Sequence, residues 1–147
     1  MVSLKFGDKD YPQHVGFGLS YFLPILVQGL ALKSGDIFVI ENPEAHLEPS
    51  VQSRVMEFLF CLAEGGVQLF VETHSDHILN GARVEFSKRN WEMKDLAFWF
   101  FKSKGALPPE IIPIHVTGAD LSTWPTGFFD QYPIDIEKIY ENSNRHK

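Results

Sequence analysis

The first half of the chain contains apolar stretches with the spacing of helices. Residues 21–33 are largely apolar and predict a helix, for which the Ser20 hydroxyl is suited to cap the first turn. Pro24 falls early enough in this helix to be tolerated. Apolar residues at helical spacing after Pro49 predict a second helix, and residues 76–86 predict a third. The three helices are separated by short segments of a different pattern.

Those separating segments, and two later ones, are typical of strands. Residues 37–40 and 67–71 are continuous apolar runs, which favour buried strands of a parallel sheet. Residues 96–101 and 110–116 predict two more strands with a hairpin-like link, and Pro113 predicts that the second lies at a sheet edge. The order of helices and strands predicts an α/β layered domain with a parallel sheet.

Composition changes this picture only in detail. The 147 residues carry a formal net charge of -6, and 44% of them are hydrophobic, as expected for one folded domain. The acidic balance argues weakly against a domain that wraps nucleic acid. Cys61 lies in an apolar stretch and predicts a buried thiol in a reducing compartment. Residues 117–132 are rich in aromatic rings without a clear period, and a short helix is predicted around residues 136–140.

The sequence gives no sign of a membrane or of export. It has no uninterrupted apolar run of about 18 residues, the length that a membrane-spanning helix needs. The first residues lack the charged-then-apolar layout of a signal peptide. We therefore expect a cytoplasmic protein with no membrane partner.

Two clusters of polar residues follow the first two predicted strands. If those strands are neighbours, the clusters converge at the carboxyl end of the sheet, where open α/β sheets bind ligands. A carboxylate at the end of a buried strand is suited to hold Mg²⁺, often through water. Charged loops and acidic helix N-termini are also common without any function. The clusters are Glu41, Asn42, Glu44, His46 and Glu48, and Glu72, Thr73, His74, Ser75, Asp76 and His77.

Three segments resemble motifs of ABC-type ATPases, and more narrowly of the group related to the overcoming-lysogenization-defect, RecF and SMC/Rad50 ATPases. Residues 37–49, IFVIENPEAHLEP, look like a Walker B strand followed by a D-loop. Residues 71–77, VETHSDH, look like the switch-histidine loop, and residues 16–20, GFGLS, look like the signature loop. All three occur in family order, and residues 117–132 resemble a C-terminal segment often attached to this group.

The resemblance implies a fold and a division of the chain. The fold class would be α/β, a partial P-loop NTPase of ABC-head type with parallel strands and a C-terminal aromatic-rich extension. Residues 1–95 would form the C-terminal lobe of an ABC-type ATPase head. Residues 96–147 would add a strand pair and the aromatic-rich segment to the same domain.

The resemblance also implies roles for individual residues. Glu41 would hold Mg²⁺ through water, and His74 would sense the γ-phosphate of ATP. His46 lies in the D-loop at the dimer seam, and it is a candidate for nucleotide binding. The signature residues would meet the nucleotide of a facing subunit through backbone N–H groups, unless they are only a helix cap and turn residues; they are Gly16, Gly18 and Ser20.

The chain departs from the family pattern in two ways. Asn42 stands where many relatives have the catalytic carboxylate, and an amide cannot take a proton from the attacking water. Glu44 is the candidate to replace that carboxylate as a catalytic residue. In addition, the sequence contains no Gly-x-x-x-x-Gly-Lys-Ser/Thr, the loop that cradles the phosphates.

The second departure leads to a specific expectation. The chain would be the C-terminal part of an ATP-hydrolysing enzyme, as a fragment, a truncated form or one half of a split protein, inactive without a Walker A lobe. That lobe is the expected partner, ATP and Mg²⁺ are the expected cofactors, and the complete ATPase would be a homodimer with DNA as a candidate partner. Without the lobe, sheet edge and apolar surface should be exposed.

Two alternatives stay open from the sequence. The first is a metal-dependent hydrolase or nuclease, because Glu-x-His and His-x-Asp-His spacings can ligate divalent metals. Its ligands would be Glu41, Glu44, His46, His74, Asp76 and His77. The second is a non-catalytic interaction module that kept the ATPase fold and lost the phosphate loop.

Overall fold

A computed structural model describes residues 17–117 and 120–145 of the chain, which fall into two compact units divided between Glu85 and Phe86. Four helices and five strands occur in the described ranges. In chain order they are α1 (Phe17–Ala31), β1 (Ile37–Glu41), α2 (Pro49–Glu64), β2 (Gln68–Glu72), α3 (Asp76–Ser87), β3 (Ala97–Lys104), β4 (Leu107–Thr117), β5 (Asp120–Leu121) and α4 (Gln131–Arg145). The assignment of residues 1–95 to an ATPase lobe stays a prediction.

The first unit contains a parallel pair of strands, as predicted. β1 and β2 are hydrogen-bonded in register from Ile37 opposite Gln68 to Glu41 opposite Glu72. Because side chains alternate along a strand, one face of the pair buries Phe38 and Ile40. The mixed α/β fold with parallel strands is therefore confirmed.

The opposite face of this strand pair is apolar and exposed. Its large side chains are Ile37, Val39 and Phe70, which are 60%, 65% and 53% exposed. This finding agrees with the expectation of exposed apolar surface. We call these three side chains the open face of the parallel pair.

The three helices of the first unit pack closely through glycines. A Cβ atom on Gly81 of α3 would lie 2.5 Å from the Ser53 carbonyl oxygen of α2, so the two backbones are almost in contact. Gly29 of α1 faces the ring of Phe58 and the end of Leu62 on α2. The buried face of α2 consists of Val55, Met56, Leu59 and Phe60.

Every helix in residues 17–117 and 120–145 is too short or too polar to cross a lipid bilayer.

Two predictions for single residues of this unit are wrong. Within the described residues α1 begins at Phe17, so Ser20 is an exposed residue inside the first turns and not the N-cap, and Pro24 lies in the helix interior. Cys61 is exposed and not buried. It lies next to Phe60 in the sequence, but α2 turns by about 100° per residue, so Cys61 falls outside the buried stripe.

The second unit is built on an antiparallel sheet in the order β3-β4-β5. The predicted hairpin of β3 and β4 is confirmed, with Trp99 opposite Pro113. β4 is the central strand, so the prediction that it lies at an edge is wrong for the strand as a whole. The reason is that β5 pairs only with Val116 and Thr117. Pro113, which has no N–H to donate, takes no part in that pairing.

An aromatic cluster follows this sheet. The Phe128 ring contacts the rings of Phe100, Trp124 and Phe129 at centroid distances of 5.4, 5.2 and 4.9 Å. The backbone N–H of Gly127 donates to the Asp130 carboxylate at 2.8 Å, which closes the turn before α4. The helix predicted around residues 136–140 exists, but α4 is much longer and covers Gln131–Arg145.

Candidate functional site

The two polar clusters meet at the carboxyl end of the parallel pair. Glu41 and Glu72 are the last residues of β1 and β2, and they lie opposite each other in the register. The backbone N–H of Asn42 continues the ladder by donating to the Glu72 carbonyl oxygen at 3.0 Å. The convergence that the sequence predicts for neighbouring strands is therefore present.

The loop after β1 turns back sharply towards the loop after β2. Asn42 has a φ of +47°, a left-handed conformation that asparagine tolerates better than most residues. The N–H of Ala45 donates to the Asn42 carbonyl oxygen at 3.0 Å, and the N–H of Leu47 donates to that of Glu44 at 3.0 Å. These turns direct the Glu44 side chain towards Thr73 and His74.

Glu44 joins the two loops through both oxygens of its carboxylate. The Thr73 hydroxyl donates to Oε2 at 2.8 Å, and the backbone N–H of His74 donates to Oε1 at 2.9 Å. Hydrogen bonds to a charged acceptor are stronger than neutral ones. Glu44 is therefore the side chain that brings the Walker B-like and switch-histidine-like segments together.

His74 extends from this junction into solvent. Its side chain is 83% exposed, and Nε2 lies 3.0 Å from Oε1 of Glu72. A histidine in this position has its ring held beside the carboxylates and its other edge accessible to a ligand. The arrangement is compatible with the predicted contact to a phosphate.

The signature-like and D-loop-like segments lie against each other. A Cβ atom on Gly18 would come within 2.5 Å of the His46 carbonyl oxygen, so only glycine permits this approach without movement. The Tyr21 ring contacts the His46 ring at a centroid distance of 4.2 Å, and His46 has a φ of +61°. Ser20 is exposed on α1, whereas Gly16 lies outside the described residues.

A second set of polar contacts, which the sequence reasoning missed, supports the switch-histidine-like loop. The buried Ser75 hydroxyl donates to Oε1 of Gln52 at 2.6 Å, and Gln52 Nε2 donates to the Leu47 carbonyl oxygen at 2.8 Å. Ser75 Oγ also accepts the N–H groups of His77 and Ile78 at 3.1 and 3.3 Å, which makes Ser75 the N-cap of α3. A serine directly before Asp76 was the available signal, whereas nothing in the sequence marks Gln52.

The carboxylates fit the Mg²⁺ that the ATPase resemblance implies. Glu41 and Glu72 end adjacent strands, and both are exposed, so water molecules that complete a magnesium shell could reach them. In the alternative set of metal ligands, the Glu44 carboxylate accepts hydrogen bonds from the Thr73 hydroxyl and the His74 N–H. In the described part of the chain, no three His, Cys, Asp or Glu side chains are grouped so as to hold a metal ion directly.

Comparison with known proteins places this arrangement in a family. The model of the family described as "AAA domain, putative AbiEii toxin, Type IV TA system" matches residues 2–80, which is more than half of the chain and includes the residues of the candidate site. No curated protein and no solved structure matches the chain. AAA-domain proteins are P-loop ATPases, which in general use ATP and Mg²⁺. The chain therefore belongs to this AAA-domain family of ATPase-related proteins.

Proposed function

We propose that the chain is the C-terminal part of an ABC-type ATPase of the overcoming-lysogenization-defect, RecF and SMC/Rad50-related group. It supplies the signature, Walker B and switch-histidine elements, and a separate lobe or subunit supplies the phosphate loop. One observation carries the proposal: the Glu44 carboxylate bonds Thr73 and the His74 N–H, so the Walker B-like and switch-histidine-like loops form one site.

In this proposal each residue has a chemical task. Glu41 holds Mg²⁺ through water at the end of β1, and the ion, when bound, neutralises charge on the phosphates. His74 donates from its exposed edge to the γ-phosphate. Asn42 cannot act as a general base because its amide does not take up a proton. Gly18, which lies against the D-loop, presents the start of α1 to a facing subunit.

The open face of the parallel pair supports the need for a second lobe. Parallel sheets are normally covered on both faces, whereas Ile37, Val39 and Phe70 are more than half exposed. A phosphate-loop lobe that adds strands and a helix here would bury them. Homodimerisation, a cytoplasmic location and action on DNA belong to the complete ATPase in this proposal.

The test is ATP hydrolysis by the chain alone and mixed with a phosphate-loop lobe. We expect no turnover and no tight ATP binding alone, because the backbone N–H groups and lysine that bind the phosphates are absent from this sequence. Turnover should arise in the mixture. Glu41→Gln and His74→Ala should then each lower kcat by about 100-fold or more, since each removes charge stabilisation at the phosphates.

Matched controls lie in the second unit. Glu137→Gln on α4 and His115→Ala on β4 change exposed residues of the same types and should leave turnover intact. A micromolar dissociation constant for ATP and Mg²⁺ with the chain alone, measured by calorimetry, would contradict the proposal. Absence of ATP turnover in the mixture would favour the non-catalytic interaction module. Tight binding of Zn²⁺ or Mn²⁺ by the chain alone would favour the metal-dependent hydrolase.

A further inference from the structure

Glu44 is placed to hold a loop in position, which is a different task from taking up a proton. Its two oxygens accept from the Thr73 hydroxyl at 2.8 Å and from the His74 N–H at 2.9 Å. Both donors belong to residues 73–75, which we call the His74 loop. The carboxylate therefore binds this loop at two consecutive residues.

The Thr73 hydroxyl has a fixed direction in this arrangement. It accepts the backbone N–H of Ser75 at 3.1 Å, so its own proton is free to point at Glu44. The contacts thus run in one direction, from the Ser75 N–H through the Thr73 hydroxyl to the Glu44 carboxylate. Each donor in this series has one acceptor, and the series ends on Glu44.

A second contact of the same kind lies next to the first. Gln52 accepts from the Ser75 hydroxyl and donates to the Leu47 carbonyl oxygen, so the loop after β1 also holds the far end of the His74 loop. The His74 loop is therefore tied to the loop after β1 at both of its ends. The His74 side chain itself is 83% exposed, and its position depends on the backbone of this loop and on the contact of Nε2 with Oε1 of Glu72 at 3.0 Å.

We propose that Glu44 is a positioning residue that fixes the His74 loop, and that it does not act as the general base that Asn42 cannot be. The inference rests on the proposed function, because the position of His74 matters for turnover only if His74 contacts the γ-phosphate. It deepens that function by assigning Glu44 to act through Thr73 and His74. The general base then comes from elsewhere in the complete site.

Two substitutions at Glu44 separate positioning from base catalysis. Glu44→Gln keeps one carbonyl oxygen for the His74 N–H and offers an N–H to the Thr73 oxygen, but an amide cannot take up a proton. Glu44→Ala removes both contacts. A positioning role predicts that Glu44→Gln keeps much of the function that Glu44→Ala loses, whereas a general base predicts that both fail equally.

The first measurement needs no nucleotide. Amide hydrogen exchange at His74, followed by NMR in the chain as it exists, should accelerate by about tenfold in Glu44→Ala, because an accepting charged oxygen is lost. Glu44→Gln should change it by less than about threefold, as one acceptor remains. Glu48→Ala is the matched control, since Glu48 is an exposed glutamate of the same segment without a side-chain bond to the α2 N-terminus.

The second measurement is turnover in the mixture with a phosphate-loop lobe. Thr73→Val removes one of the two donors to Glu44 and should lower kcat, and the losses from Thr73→Val and Glu44→Ala should be less than additive in the double variant, because both break the contact between Thr73 and Glu44. Thr73→Ser should restore turnover. Circular dichroism of each variant establishes that the fold is kept. If Glu44→Ala does not fold, Thr73→Ser and Glu44→Gln are compared with the unmodified chain instead.

The outcomes are distinct. Unchanged His74 exchange in Glu44→Ala would overturn the inference, and so would a Glu44→Gln variant that loses all turnover while Thr73→Val keeps it. Absence of ATP turnover in the mixture of the unsubstituted chain and the phosphate-loop lobe would refute the proposed function instead. The exchange measurement would then still decide whether Glu44 fixes the His74 loop.

Discussion

Asn42 shows how a single residue shapes the site through its backbone. Its φ of +47° turns the chain immediately after β1, and its N–H still completes the ladder with the Glu72 carbonyl oxygen. Asparagine and glycine adopt this conformation at low cost, whereas other side chains meet the following carbonyl oxygen. Asn42 is thus well suited to its turn.

This conformation gives a prediction about stability. Asn42→Ala should lower the free energy of unfolding by about 1 kcal/mol, because alanine is strained at positive φ. Asn42→Gly is the control and should be nearly neutral, since glycine adopts both signs of φ. Urea denaturation of the two variants measures the difference, and equal midpoints would show that the turn is not under this constraint.

Ser75 gives a second prediction at the same scale. Ser75→Ala should cost about 1–2 kcal/mol, because it removes the N-cap of α3 and the donor to Gln52. Ser50→Ala is the matched control, because Ser50 is an exposed serine in the first turn of α2. Thermal or urea unfolding compares them. A loss at Ser50 as large as the loss at Ser75 would argue against a special role of the cap.

Some residue properties followed from the sequence and others did not. The pairing of Glu41 with Glu72 was predictable, because carboxyl ends of neighbouring parallel strands meet at one edge. The exposure of Cys61 was not predictable, because it depends on which side of α2 is buried. The interior position of Ser20 was not predictable either, because it depends on where α1 begins. The contact of Gln52 with Ser75 joins residues 23 apart in the sequence and has no local signal.

At the scale of elements, the packing of α3 against α2 depends on the absence of a side chain. At Gly81 a Cβ atom would meet the oxygen, Cα and carbonyl carbon of Ser53 at 2.5, 3.0 and 3.1 Å. All three are backbone atoms, which cannot move without shifting α2. At Gly29 the nearest atoms are instead the ends of the Phe58 and Leu62 side chains, at 2.7 and 2.8 Å.

The two glycines therefore predict different costs for the same substitution. Gly81→Ala should destabilise the chain by about 1–3 kcal/mol, because the helix pair must separate to admit the methyl group. Gly29→Ala should cost less, since side-chain ends can rotate away and alanine favours the helix. Denaturant midpoints of both variants provide the comparison. A larger loss for Gly29→Ala would contradict this account of the packing.

The elements themselves were mostly predictable. Apolar runs identified α1, β1 and β2 to within a few residues, and apolar residues at helical spacing identified α2. The helix predicted over residues 76–86 is α3. β5 was missed because it has only two residues, and α4 was predicted too short because most of its residues are polar. The edge prediction for β4 failed because Pro113 constrains only its own position in the ladder.

At the scale of the whole molecule, each compact unit shows apolar side chains to solvent. In the first unit these form the open face of the parallel pair. In the second, Trp99 and Phe101 on β3 and Ile111 on β4 are 58%, 60% and 53% exposed. The strands of the open face end at Glu41 and Glu72 of the candidate site, so the open face is the surface that we assign to the phosphate-loop lobe.

This assignment predicts the effect of a charge on each surface. Phe70→Glu should weaken association with the phosphate-loop lobe by about tenfold or more, because burial of half a phenylalanine side chain contributes about 1–1.5 kcal/mol. Leu107→Glu is the control on β4, where the side chain is 68% exposed. Calorimetric titration measures both. Equal affinities would show that the open face is not the contact surface.

The open face also has a consequence for the life of the protein in a cell. A parallel pair with one uncovered face gains stability from any lobe that covers it, in proportion to the logarithm of that lobe's concentration. Chains made in excess of the lobe spend more time unfolded, and proteases and chaperones act on that fraction. On the function proposed above, the amount of this protein should therefore follow the supply of the phosphate-loop lobe, so that production of that lobe limits the accumulation of this chain.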